Sequence, residues 1–216
     1  MPDANDGAID AEILKTWQLS PVGELKGGFQ NQHWLVETRS GTSLVLRRYK
    51  EDRLPNLEYE FAVMHRLREQ GWPVPELVEL PLDHGGRTWC LFTLLPGDKT
   101  SAIGQEEERR RGRLLAELHE TLKSLTDLGQ RRHFLLPDAI ACDPSLLEAI
   151  RRIEAVQPEE GYVLRWHLER AAERLAILDI AGAEKLVLHG DFVARNLLFA
   201  DGGELSGVLD FENTHL

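Results

Sequence analysis

Three side chains that carry hard oxygen atoms follow one another at short spacing near the end of the chain. Asp191 stands in a His-Gly-Asp turn after an apolar run, Asn196 follows it by five residues, and Asp210 comes directly after a later apolar run. Carboxylate and amide oxygens are the ligands that Mg²⁺ prefers, and magnesium sites of this kind act on phosphate groups. The residue types and their order therefore indicate metal-assisted phosphate chemistry.

The residues between Asn196 and Asp210 form two short apolar runs joined by an Asp-Gly-Gly-Glu loop. Two such runs across a glycine-containing loop predict a β-hairpin. If Ala200 pairs with Leu205 across the loop, antiparallel register pairs Asn196 with Leu209. Asp210 then lies beside Asn196 at the open end of the hairpin. The predicted register thus brings these two side chains to the turn that carries the His-Gly-Asp sequence.

The elements before this segment change character at Pro96-Gly97. The earlier residues alternate apolar runs with glycine turns and contain one amphipathic pattern, which predicts five strands and a helix over Leu57–Gln70 that ends at Gly71. The later residues show helical periodicity. We therefore predict an α+β protein with a boundary after residue 96: residues 1–96 form an antiparallel sheet with one helix, and residues 97–216 are mainly helical and include the hairpin. The predicted strands are 19–25, 33–38, 43–49, 77–80 and 88–95, and the predicted later helices are 103–128, 146–156 (capped by Ser145) and 159–178.

Composition excludes several other classes of protein. Twenty-five basic and 36 acidic residues give a formal net charge of -11, which argues against a nucleic-acid partner. The two cysteines, Cys90 and Cys142, do not make a disulfide framework. No apolar run approaches the ~20 residues that span a bilayer, so no membrane partner is expected. The first residues lack the layout of a secretion signal, so a cytoplasmic protein is predicted.

The segment HGDFVARN followed by VLDF resembles the small-molecule kinases of the aminoglycoside phosphotransferase, choline kinase and homoserine kinase type. These enzymes have the two-lobe, protein-kinase-like fold. The resemblance covers the chain from about Leu25 to its last residue. It implies an ATP- and Mg²⁺-dependent enzyme that transfers the γ-phosphate to a hydroxyl of a small molecule, such as an aminoglycoside or an amino alcohol.

The resemblance also implies roles for the three oxygen-bearing residues. Asp191 stands where the family has its catalytic base, which accepts the proton of the acceptor hydroxyl. Asn196 and Asp210 stand where the family holds its magnesium ions. Two protein ligands suffice, because Mg²⁺ retains water and binds the nucleotide phosphates.

On the nucleotide side, the resemblance implies that Gly27 and Gly28 form a glycine-rich turn over the phosphates, although this turn is shorter than the usual motif. Arg47 stands in the third strand where most kinases have lysine, and arginine can hold phosphate with two hydrogen bonds. In the family, a helix glutamate pairs with this basic side chain, and it falls on Glu60 here, with Glu58 as the alternative.

The chain departs from the family's pattern at its end. Glu212 replaces the glycine of the kinase Asp-Phe-Gly motif, and it could reach the metal or cap the next segment. The sequence stops at Leu216, whereas family members continue with helices that build much of the acceptor pocket. We therefore expect a C-terminally truncated relative that exposes apolar surface and could dimerise, with its oligomeric state open.

The residues of the His-Gly-Asp turn also allow a purely structural interpretation. Asp191 could cap a turn and His189 could be a structural histidine. The alternative function is a nucleotide-binding module without catalysis, or an inactive truncated relative of such kinases. A protein kinase is less favoured, because the His-Gly-Asp turn lacks the arginine of the His-Arg-Asp motif.

Overall fold

The computed structural model describes residues 8–25, 31–49, 57–99, 104–131, 144–178 and 182–216. The chain divides into two compact units, residues 1–129 with 186–216 and residues 130–185. The predicted division after residue 96 lies inside the first unit and stays a prediction. Within the described residues, none of the helices combines the length and the apolar character that crossing a membrane requires.

A five-stranded antiparallel sheet forms the first half of the chain, as predicted. Its strands lie in the order β1-β2-β3-β5-β4. Strands β1 to β3 form a meander, and β4 pairs with β5 across a turn that contains Gly85 and Gly86. The strands are β1 (Leu19–Glu24), β2 (Gln32–Thr38), β3 (Ser43–Arg48), β4 (Leu77–His84) and β5 (Arg87–Thr93).

One face of this sheet is covered by helix α1 (Ala11–Thr16). Asp10 caps the helix, because its carboxylate accepts a hydrogen bond from the backbone N–H of Glu12 at 2.9 Å. Alternation along the strands turns Trp34 and Trp89 to this face, where their rings stack at 5.6 Å. These contacts make a separate small core on the side of the sheet away from α2.

The opposite face packs against helix α2 (Leu57–Glu69). Val63 and Leu67 are fully buried in this core. The helix ends as predicted at Gly71, whose φ of 85° lets the backbone N–H of Trp72 reach the carbonyl of Leu67 at 3.0 Å. This is a Schellman cap, which requires a residue that tolerates positive φ.

Helix α3 (Gln105–Leu122) is shorter than predicted, because residues 123–128 form a 3-10 helix. Leu118, Leu122 and Leu125 are fully buried. The first two are four residues apart and the last two are three apart, so the tighter turn keeps all three on one face. Helical periodicity alone does not distinguish the two helix types here. The predicted start at Ile103 lies outside the described residues.

The second unit contains helices α4 (Pro144–Val156) and α5 (Pro158–Ala176). The predicted capping role of Ser145 is wrong, since the helix already includes Pro144. Proline has no N–H to satisfy and its fixed φ suits the first helical position. Gly161 lets the two helices approach closely, because a Cβ atom there would meet the backbone of Glu154.

The hairpin lies in a second sheet with the order β6-β7-β8. These strands are β6 (Asp98–Lys99), β7 (Leu197–Phe199) and β8 (Leu205–Val208). The predicted register is confirmed at the open end, where the N–H of Leu209 donates to the carbonyl of Asn196 at 2.8 Å.

The predicted pairing of Ala200 with Leu205 is wrong, since Ala200 bonds to Glu204 and Leu205 pairs with Phe199. The register shifts between Leu198 and Phe199, which pair with Gly207 and Leu205, so Ser206 is the extra residue of a bulge. Gly203, with a φ of 83°, lies in the tight turn that joins the two strands.

The connection between the two sheets passes through Gly97, whose φ is 97°. A Cβ atom at this position would lie 2.6 Å from the carbonyl oxygen of Phe199 and would also meet Ser206. The Ser206 hydroxyl donates a 2.7 Å hydrogen bond to the carbonyl of Pro96. The hairpin is thus held directly against the chain that leaves the large sheet.

We predict that Gly97→Ala destabilises the protein more than Gly86→Ala. Both glycines have positive φ, but a Cβ atom at Gly86 meets nothing within 4 Å. The Gly86 variant should therefore lose only the conformational term of about 1 kcal/mol, whereas Gly97→Ala should lose a further ~1–3 kcal/mol through overpacking. Urea unfolding measures both free energies, and equal losses would contradict the close approach.

Candidate active site

The predicted base and one predicted metal ligand are joined by direct hydrogen bonds. The side-chain amide of Asn196 donates to the backbone carbonyl of Asp191 at 2.9 Å and to its Oδ2 atom at 3.0 Å. A short 3-10 turn, Ala194–Asn196, makes this approach possible. Because the amide nitrogen binds Asp191, the amide oxygen is the atom of Asn196 that can bind a cation.

His189 connects the turn before Asp191 to the end of the hairpin. Its Nε2 atom lies 3.1 Å from the carbonyl of Leu209, and its Nδ1 atom accepts a hydrogen bond from the backbone N–H of Asp191 at 3.2 Å. These partners assign a neutral imidazole with the proton on Nε2. Burial lowers the pKa of His189 below its ordinary value, which agrees with this state. The structural histidine considered from the sequence therefore positions both segments.

Arg47 connects strand β3 to two other parts of the first unit, helix α2 and the segment after the hairpin. Its Nη1 atom lies 3.1 Å from Glu60 Oε1, and its Nη2 atom lies 3.2 Å from Asp210 Oδ1 and 3.0 Å from Glu212 Oε2. The structure thus brings Glu60 to Arg47, whereas Glu58 is exposed on α2. A single guanidinium faces three carboxylates.

Tyr49 completes the surroundings of this guanidinium. Its hydroxyl donates to Glu60 Oε1 at 3.0 Å, and the Arg47 guanidinium carbon lies 4.5 Å from the centre of its ring. Burial opposes the charge on Arg47, but the carboxylates of Glu60, Asp210 and Glu212 raise the pKa of Arg47 overall. The pKa of Tyr49 is raised mainly by burial. Arg47 therefore stays charged in a nearly closed site.

Glu212, whose role the sequence left open, lies beside Arg47 and accepts a hydrogen bond from the side chain of Asn31. Its side chain is only 10% exposed. Asn31 comes just before β2, so this contact ties the start of that strand to the segment after Asp210.

A cavity of about 540 Å³ lies beside these residues, within the first unit. Its size falls within the range of small-ligand sites. Both apolar and polar side chains line it. The apolar ones include Val45, Met64, Phe92 and Phe211, and the charged and amide ones include Arg47, Lys99, Arg195, Asn196 and Asp210.

The donor set fits a magnesium ion that is bound together with phosphates. Asn196 offers an amide oxygen and Asp210 a carboxylate, which are the hard ligands that Mg²⁺ requires. In the described residues, this site included, no group of three or more His, Cys, Asp or Glu side chains is placed to hold a metal ion by itself. The protein would therefore supply two ligands and leave the remaining positions to phosphate and water. Gly27 and Gly28 lie outside the described residues.

Two further side chains at this site did not emerge from the sequence. Arg195 Nη2 lies 2.8 Å from Oδ2 and 3.1 Å from Oδ1 of Asp191, and the four-residue spacing of this pair is the signal that could have indicated it. His33 lines the cavity and faces Arg47 and Lys99. Strand alternation could have placed it on the face of Arg47, with which it pairs across β2 and β3.

The five-stranded sheet, its helix and the hairpin together make the protein-kinase-like fold of small-molecule phosphotransferases. The chain belongs to the phosphotransferase enzyme family, whose pattern it matches over residues 22–216.

Two solved structures share the fold at low sequence identity. Aminoglycoside phosphotransferase APH(4)-Ia, solved with ADP and hygromycin B, is 16% identical with a TM-score of 0.64, over 94% of this chain and 70% of that one. Amicoumacin kinase, solved with AMP-PNP, Ca²⁺ and its ligand, is 14% identical with a TM-score of 0.64, over 100% of this chain and 67% of that one.

Among curated proteins, the chain is similar to a homoserine kinase of Methylobacterium radiotolerans. The two are 26% identical over 220 residues, which cover 97% of this chain and 64% of that protein. The chain therefore spans less than two thirds of the length of this relative.

We predict that His33 makes the stability of the protein depend on pH below neutrality. Burial, followed by Arg47 and Lys99, lowers the pKa of His33 from 6.5 to about 3. As the pH falls below 6.5, the unfolded chain therefore binds this proton while the folded protein does not. The free energy of unfolding is therefore at its full value above pH 6.5, where His33 is neutral in both states, and it decreases as the pH falls from 6.5 towards 3.

The measurement is the free energy of unfolding between pH 6.5 and 5.5. We expect the wild type to lose about 1 kcal/mol more than His33→Gln over this interval. Parallel pH profiles of the two proteins would contradict the lowered pKa.

Proposed function

We propose that this protein is an ATP- and Mg²⁺-dependent phosphotransferase that acts on the hydroxyl group of a small molecule. The observation that carries the proposal is the pair of contacts made by Asn196, one to Asp191 and one to the backbone before Asp210. These contacts support a site in which Asp191 acts as the base beside two metal ligands, Asn196 and Asp210. Family membership and the kinase-like fold support the same reaction type.

In this proposal, Asp191 orients the acceptor hydroxyl and accepts its proton as the oxygen attacks the γ-phosphorus. Asp191 Oδ2 already accepts a hydrogen bond from Asn196 and lies closest to Arg195, so Oδ1 is the better placed atom for the hydroxyl. The hydrogen bond from the backbone N–H of Asp191 to His189 Nδ1 holds this turn, and with it the carboxylate, in place. Magnesium, when bound by Asn196 and Asp210, would neutralise charge on the phosphates.

Arg47 is the proposed phosphate contact on the nucleotide side, oriented by Glu60. The rigid fork of arginine suits phosphate oxygens, and its buried partners reduce the entropy lost on binding. We also propose that Gly27 and Gly28 cover the phosphates and that residues 1–96 form the nucleotide-binding lobe, with residues 97–216 as a partial second lobe. A cytoplasmic location is part of the proposal, since ATP and magnesium are available there.

The acceptor is proposed only as a class, because the relatives named above act on different compounds. A panel should include homoserine, aminoglycosides, amino alcohols and sugars, each tested for phosphate transfer from ATP and from GTP.

We predict that Asp191→Asn lowers kcat by a factor of about 10²–10⁴ for any acceptor that the wild type uses, because an amide cannot accept the proton. Nucleotide binding should persist, since Asp191 is not a proposed metal ligand. Asn196→Ala and Asp210→Ala should instead weaken Mg²⁺-dependent stabilisation by ATP. Equal turnover by Asp191→Asn and the wild type would remove Asp191 from the mechanism.

The second candidate function is a nucleotide-binding module without catalysis. Magnesium-dependent thermal stabilisation by ATP, combined with no transfer to any acceptor in the panel, would support this function over the enzyme.

We also propose that the protein self-associates through the second unit, where several apolar side chains are exposed. Val156 is 78% exposed and Tyr162 is 63% exposed. Exposed apolar surface of this kind favours association. Sedimentation velocity should show a dimer that Val156→Lys with Tyr162→Lys converts to a monomer, and a monomeric wild type at high concentration would contradict the proposal.

A further inference from the structure

We propose that Arg195 is a catalytic residue that leaves its ion pair with Asp191 to bind the phosphoryl group during transfer. This inference rests on the proposed function. It concerns the cleft next to the base, where Arg195 lines the cavity beside Asn196 and Asp210.

Among the described residues, three lysine and arginine side chains line the cavity: Arg47, Lys99 and Arg195. Arg47 already faces three carboxylates and its side chain is only 7% exposed. Arg195 pairs with one carboxylate and its side chain is 55% exposed. An ion pair this exposed is weak and easily rearranged. Arg195 can therefore move at little cost, whereas Arg47 cannot.

The contacts of Arg195 place its charge where the reaction develops negative charge. Within the described residues, both contacts to Asp191 use the Nη2 atom alone, at 2.8 and 3.1 Å. The donors on Nη1 and Nε are available to a ligand. The acceptor oxygen must lie within hydrogen-bonding distance of Asp191, and the phosphorus lies next to that oxygen. Phosphoryl oxygens are thus within reach of the guanidinium.

In the proposed step, a bond forms between the acceptor oxygen and the γ-phosphorus while the bond from phosphorus to the ADP oxygen breaks. The electron pair of that bond leaves with ADP, and the acceptor proton goes to Asp191. As Asp191 becomes neutral, it holds Arg195 less strongly. The freed guanidinium can then stabilise the oxygens of the transferring group, which is the role of an arginine finger.

Arg195→Met tests this role because it removes the charge from a half-exposed side chain without opening a cavity in the core. We expect kcat to fall by about 10³-fold or more, with little change in KM for ATP. The variant should bind AMP-PNP with Mg²⁺ as the wild type does, but it should lose at least tenfold in affinity for ADP with aluminium fluoride, an analogue of the transferring phosphoryl group. Arg195→Lys should restore part of this affinity.

Arg195→Met should also be made in the Asp191→Asn protein. This double variant distinguishes a direct contact between Arg195 and the phosphoryl group from an effect of Arg195 on the base, Asp191. If Arg195 touches the phosphoryl group, Arg195→Met should weaken binding of ADP with aluminium fluoride in both backgrounds. If the loss disappears in the Asp191→Asn background, Arg195 only positions the base and the inference is overturned. Wild-type affinity of Arg195→Met for the analogue would also overturn it.

Arg152→Met is the matched control, since Arg152 forms an ion pair with Glu148 at the same four-residue spacing in the second unit. It should bind both ligands as the wild type does, and the same loss in Arg152→Met would overturn a specific role for Arg195. Failure of the wild type to bind AMP-PNP would instead overturn the proposed function, and this inference with it. The two failures are therefore distinguishable.

Discussion

A buried positive charge organises this site. Moving a guanidinium out of water is costly unless carboxylates and hydrogen bonds replace the solvent. Arg47 therefore requires Glu60 from the helix and Asp210 and Glu212 from the segment after the hairpin. Each of these elements is held in place by the charge that it helps to neutralise. Loss of Arg47 would leave buried carboxylates behind, which costs more than the pair itself contributes.

The same cluster accounts for the charge that the cleft offers to ligands. Three carboxylates face one guanidinium, so the cluster keeps an excess of negative charge. Such a site attracts a divalent cation, and the cation in turn makes phosphate binding favourable. Nucleotide and metal are therefore expected to bind together in our proposal. In that proposal, Arg47 would contact the phosphate from its fixed position.

Arg47 and Arg195 both line the cleft, but they differ in burial and are therefore suited to different contacts with phosphate. Arg47 is held by several partners and is almost inaccessible, so it suits a fixed contact that is present before the reaction. Within the described part of the chain, Arg195 is held by one partner at the surface, so it suits a contact that forms only while charge develops. Both residues have the same charge and similar carboxylate distances. Their different exposure follows from the strand and the short turn that carry them.

The sequence by itself determined the phosphotransferase family, the sheet with its one helix, and the register at the open end of the hairpin. These follow from local patterns: alternation, turn glycines, and the fixed spacing of Asp191, Asn196 and Asp210. The choice of Glu60 over Glu58, the placement of Glu212 beside Arg47 and Asn31, and the pairing of Asp191 with Arg195 were decided only by the tertiary structure. Asn31 and Glu212 are 181 positions apart, and no local pattern specifies a contact between residues so distant in sequence. The predicted pairing beside the hairpin loop was wrong because Ser206 is accommodated in a bulge, and a bulge changes register without changing the apolar pattern.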